Sequence, residues 1–72
     1  MFFTVLEIQS NEGTKACIPT IYENENDALA KYYTVLAAAA VSAIEYHAAH
    51  IIRSDGVMTE GRVFDRRTAE EV

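Results

Sequence analysis

The mostly apolar stretch from Phe2 to Gln9, broken by Thr4 and Glu7, is rich in aromatic and β-branched residues and reads as a β-strand. One face of that strand would carry Phe3, Val5, Glu7 and Gln9, and the other Phe2, Thr4, Leu6 and Ile8. The second set is richer in apolar groups and is the expected core face. Ser10-Asn11-Glu12-Gly13 follows with turn chemistry, Gly13 being free to take positive φ. A second strand is expected from Thr14 to about Tyr22. Pro19 has no N–H to donate, so it belongs on an edge strand, at a strand end or at a bulge.

The period changes after Glu23-Asn24-Glu25-Asn26-Asp27. Asn24 as N-cap would place Asp27 at the third helical position, close to a reciprocal capping arrangement, with Asn26 as the competing cap. Leu29, Tyr32, Tyr33, Leu36, Ala39 and Ala40 then recur at three-to-four spacing and predict a helix running to about Val41. Its alanines would let the axis lie close to whatever it packs on. No Gly or Pro marks the stop, which falls somewhere between Val41 and Tyr46. Tyr46 to Ser54 reads as a third strand. Asp55-Gly56 reads as a two-residue hairpin turn, and Val57 to Asp65 as the returning strand. Gly61 inside that strand suggests a bulge or a close backbone approach.

The expected architecture is therefore α+β and two-layered, with one helix on a four-stranded, mainly antiparallel sheet in the order β-β-α-β-β. Residues 1–65 form the domain and 66–72 a polar C-terminal tail. One helix covers one side of four strands. On the expected arrangement Phe3, Val5 and Ile51 point to the uncovered side and are candidate contacts of a homodimer.

Composition strengthens that expectation. A chain of 72 residues buries only about 60% of its extended surface. Half of its residues are apolar, but many are alanine, including Ala37-Ala38-Ala39-Ala40. Each contributes little at ~25 cal/mol per Å² buried, against an ordering cost of roughly 1.5 kcal/mol per residue. A homodimer or another protein partner would supply what such a core lacks.

The formal charge is −5, from eleven acidic and six basic side chains. Direct nucleic-acid binding is expected to be weak on that balance, because such binding rests on neutralising phosphates. Arg62, Arg66 and Arg67 are the side chains that could oppose it, and they equally suit a solvated strand and tail. The longest apolar run, Val35 to Val41, falls far short of the ~20 residues a membrane span requires. Met1-Phe2-Phe3-Thr4 has no basic lead-in and its apolar run is broken by Glu7, so no leader peptide is expected. Cys17 stands alone, which suits a reducing, cytoplasmic setting.

Candidate chemistry is sparse. His47 and His50 would share a face on a helix, but on a strand their odd spacing sends them to opposite sides, and no metal site is expected there. Cys17 has no base or orienting group near it in sequence and is expected as a small buried hydrophobe. Asp55, Asp65, Glu60 and Glu7 would need a shared cleft for acid–base work, and Asp55 is better explained as a turn former. Phe2, Phe3, Tyr22, Tyr32, Tyr33, Tyr46 and Phe64 fit core or interface positions better than a base-stacking platform. No catalytic residue, metal or cofactor is assigned.

Four segments carry a resemblance: Phe3-Thr4-Val5-Leu6-Glu7-Ile8-Gln9, Asp27-Ala28-Leu29-Ala30-Lys31-Tyr32-Tyr33, Leu36-Ala37-Ala38-Ala39-Ala40-Val41-Ser42, and Ile51-Ile52-Arg53-Ser54-Asp55-Gly56. In these the chain resembles small ββαββ proteins of unknown function encoded by gut Firmicutes and their phages. The resemblance implies an accessory or mobile-element context and transfers no active-site residue. The expected role is a small non-enzymatic interaction or structural accessory protein. The alternatives are an acidic regulator of a nucleic-acid-binding protein and a small enzyme with its site across a dimer interface.

Overall fold

A computed structural model describes residues 1–66. Strand β1 (Phe3–Asn11) and strand β2 (Thr14–Tyr22) form the first hairpin, helix α1 (Glu25–Ala40) crosses over, and β3 (Tyr46–Arg53) and β4 (Met58–Asp65) form the second. All pairings are antiparallel and the sheet order is β2-β1-β3-β4. The architecture is the expected α+β arrangement of one helix on four strands. Because β1 runs antiparallel to both its neighbours, β2 and β3 are parallel to each other, and α1 links them across the intervening β1. Pro19 lies on β2, an edge strand, where a missing donor costs least.

The two turns are the reverse of what local sequence suggests. Asn11 pairs with Thr14, and both residues between them have positive φ, Glu12 at 52° and Gly13 at 85°. That is the two-residue turn whose twist suits a hairpin. At the other hairpin only Gly56 is left-handed, at φ 92°. The Gly56 N–H donates to Arg53 O at 2.8 Å and the Arg53 N–H to Val57 O at 2.9 Å, so Ser54-Asp55-Gly56 make a three-residue loop rather than a two-residue turn. Asp55 shapes it, accepting from the Val57 N–H at 3.2 Å and pairing with Arg53.

Asn24 caps α1: its Oδ1 accepts from the Asp27 N–H at 2.9 Å while its Nδ2 donates to Asp27 Oδ2 at 2.8 Å. The helix ends because Ser42 and Arg66 compete for its last turn. Ser42 Oγ accepts from the Ile44 N–H, and the Arg66 guanidinium donates to Ala39 O, Ala40 O and Ile44 O. The last turn itself has no basic residue, so this distant arginine supplies the cation that a helix C-terminus favours. Arg66 therefore belongs to the domain and not to a polar tail. The rest of the expected tail, residues 67–72, lies outside the described residues.

The helix contacts the sheet through Ala28, Tyr32, Val35 and Ala39, with Leu29 and Leu36 at the margins. Tyr33 and Ala40, expected on the apolar face, are exposed, so that face is rotated by about one residue position. Fully buried Ala28 and Ala39 allow close approach over Val5, Ala49 and Ile51. Val5 is 1% exposed and Ile51 0%. Helix α1 thus covers the Phe3/Val5 side of the sheet, and the expected core face, Leu6 and Ile8, is the one left uncovered. Among the fully buried side chains of the domain, Ile51 and Val5 are the largest, which makes a thin core.

Candidate functional site

The most chemically elaborate point lies under the helix. Glu7 and Gln9 of β1 face the same side as Val5, and register places Gln9 opposite His47 of β3. His47 is 3% exposed, and its Nε2 sits 2.7 Å from Glu7 Oε2, which also accepts from Gln9 Nε2 at 2.9 Å. Burial pushes the Glu7 carboxyl up, but the His47 and Gln9 hydrogen bonds and the nearby His47 and Lys31 charges outweigh it, holding it below the usual carboxylate range. With Nε2 protonated towards Glu7, Nδ1 is left without a partner among the described residues. The pair is roofed by α1, and among the described residues no nucleophile is hydrogen-bonded to it. It ties β1 to β3 on the covered face of the sheet.

The other sequence candidates do not converge. His50 pairs with Leu6 and points away from the helix, so the two histidines do occupy opposite faces. Gly61 faces His50, and a Cβ there would stand 2.7 Å from its Nδ1, so this glycine makes room for an imidazole. The bulge falls instead between Ile51 and Ile52. Cys17 is exposed on β2, a correction to its expected burial, because the edge strand gives its outer face no cover. It shares a face with His50 but lies two strands away, about 10 Å at normal strand spacing. Arg62 and Arg66 flank the Phe64 ring at 5.1 and 5.7 Å. A shallow cleft of about 380 Å³ is lined by Gln9, Asn11, Glu12, Thr14, Ala16 and Ile44, which offer hydrogen bonds but no paired acid and base. Among the described residues, no three His, Cys, Asp or Glu side chains gather to hold an ion, and no helix is long and apolar enough to cross a membrane.

What remains is the uncovered sheet face. The pairing registers arrange it in four rows running β2-β1-β3-β4. At one end stand Lys15, Ser10, Tyr46 and Asp65. The next rows are Cys17, Ile8, Ala48 and Val63, then Pro19, Leu6, His50 and Gly61. The last is Ile21, Thr4, Ile52 and Met58. Lys15 and Asp65 are its only Lys, Arg, Asp or Glu residues. Ile21 is 67% exposed and Met58 59%, while Ala48 is fully buried by its taller neighbours. Phe2 extends the apolar surface beyond the last row, held there by bonds between its backbone and Ser54.

Phe3, Val5 and Ile51, the expected interface residues, are not on this face. Val5 and Ile51 are core, and Phe3 packs against that core. The sequence-based choice inverted the two sides because Glu7 and Gln9 make the covered face of β1 look the more polar one. The carboxylates do not form one stripe. Glu23, Glu25, Asp27 and Asp55 lie at the end bearing the helix N-terminus and the β3–β4 loop, and Glu12 and Glu45 at the opposite end. There Glu45 and Asn11 tie the β1–β2 turn to the segment entering β3: the Glu12 N–H donates to Glu45 Oε1, and the Glu45 N–H to Asn11 Oδ1. No protein-family model, curated protein or solved structure matches the chain.

Proposed function

We propose that this chain is a small non-enzymatic interaction module, an accessory protein that works by offering its uncovered sheet face to a protein partner. The observation that carries the reading is the contrast between the two faces. The helix side holds the buried core and the hydrogen-bonded Glu7–His47 pair. The other side presents Leu6, Ile8, Ile21, Ile52, Met58 and Val63 with one charge at each of two corners. Contiguous apolar surface of this kind marks association sites. The lone Cys17 suits a cytoplasmic setting, and the resemblance to phage-encoded proteins suits an accessory role.

The test uses Ile21→Lys/Met58→Lys, at opposite margins of the face and remote from the helix. In its native cell the parent chain is expected in a complex larger than a monomer. The variant is expected to run as a monomer and, compared at a dilution where the parent is also monomeric, to melt within about 0.5 kcal/mol of it, as surface changes do. A parent that is monomeric in the cell, or a variant that unfolds, overturns the reading.

A further inference from the structure

The uncovered face is self-complementary about one particular axis, and this inference rests on its being an association surface. Two copies packed face to face can be related by a two-fold axis lying between the sheets, either along the strands or across them. An axis along the strands keeps each row level and exchanges β2 with β4 and β1 with β3. Each row then meets its own reversal. Ile8 lies over Ala48 of the partner subunit, Pro19 over the partner's Gly61, and Cys17 over the partner's Val63. A large group thus meets a small one at Ile8/Ala48, a contact that occurs twice. In the last row Ile21 meets the partner's Met58, the two most exposed hydrophobic side chains of the four rows.

The charges choose between the axes. Lys15 and Asp65 occupy the two ends of one row. Along-strand symmetry brings Lys15 of each copy over the partner's Asp65 at the interface rim. Asp65 keeps interactions within its own chain as well. Across-strand symmetry would set Lys15 over the partner's Ile21 and Asp65 over the partner's Met58, placing four charges on apolar side chains. A hollow of about 220 Å³ lined by Ile8, Gln9, Ser10, Lys15 and Tyr46 lies over β1, where β3 of the partner subunit would pass.

The area is sufficient. Four strands at ~4.8 Å spacing and about eight residues at ~3.3 Å give a footprint of roughly 500 Å² per copy, or about 1,000 Å² for the pair. That reaches the lower bound of specific interfaces before side-chain relief is counted. We infer that the occupant of the open face is a second copy of this chain, packed sheet to sheet about a two-fold axis parallel to the strands, with Lys15 of each copy facing Asp65 of the other.

The experiment uses the full purified chain and two variants, Lys15→Glu and Asp65→Lys, each checked for retained helix content. Each alone sets like charges together twice and is expected to weaken self-association about tenfold or more. Mixed in equal amounts, they are expected to form a heterodimer of parent-like affinity, because both corner pairs become opposite again. A second measurement leaves Asp65 untouched. Val63→Cys, with native Cys17, should be linked between subunits by a bis-maleimide of about 10 Å reach, the spacing of packed sheets, while the parent should not. A mixture no tighter than its components, or Cys17-to-Cys17 linkage in the parent, overturns the assignment. A parent chain that is monomeric when pure yet held in a complex in its native cell overturns the homodimer and leaves the interaction-module reading standing.

Discussion

Arg66 Nη2 donates to Ala39 O at 2.7 Å, so the residue after the last strand closes the C-terminus of the helix. The same guanidinium reaches Ala40 O and Ile44 O and lies over Phe64, while the Arg66 N–H donates to Glu45 O. One side chain thereby joins β4, α1 and the start of β3. Arg66→Met is expected to cost about 1–2 kcal/mol, lowering Tm by roughly 4–8 °C for each kcal/mol in a domain of this size. Arg66→Lys should recover only part, because an ammonium lacks the planar fork that spans three carbonyls. Thermal melts of the three proteins check this, and equal melts for parent and Met variant would remove the capping role.

Glu12 is the one non-glycine residue held at positive φ among the described residues, in a turn that favours Asn-Gly. Glu12→Asn is expected to stabilise the chain by about 0.5–1 kcal/mol, since asparagine adopts that conformation more readily. The contact to Glu45 uses the backbone N–H of Glu12 and survives the change. Denaturant titration is the check, and an unchanged or lower midpoint would show that the Glu12 side chain contributes more than its strain costs.

The first strand shows why the fold was legible in the sequence while its sidedness was not. Strand existence, the Asn24 cap, the edge position of Pro19 and the opposed histidines follow from local rules acting on local residues. Choosing the covered face requires more. For a crossover between parallel strands, handedness selects the face once strand order is set, and a sequence that does not state its strand order leaves only the apolar content of each face to judge by. That content favours Leu6 and Ile8, whereas Glu7 and Gln9 look like surface residues until His47, forty residues away, is seen to satisfy Glu7. The helix stop falls at Val41, as expected, without a local Gly or Pro, its cation arriving from Arg66. The open face was recognisable as a consequence of one helix on four strands, but its membership came out inverted.

Glu7 gives the fold a predictable acid limb. Its carboxyl is held below the ordinary value of 4.5, so the folded state favours the ionised form. The resulting stability is fully present above that ordinary value and is lost as pH falls through the lowered folded one. Glu7→Gln should cost roughly 1.5 kcal/mol near neutrality and flatten the decline below about pH 4.5. Melting temperatures of both proteins from pH 7 to pH 3 test it. Parallel curves would show that Glu7 has no part in the acid limb.

Sedimentation equilibrium of the parent chain over a wide concentration range decides whether a second copy buries the uncovered sheet face. The predicted result is a reversible monomer–dimer equilibrium, with a melting temperature that rises with concentration because only the folded dimer gains from association. A single species of monomer mass at hundreds of micromolar, melting at the same temperature at every concentration, would contradict it.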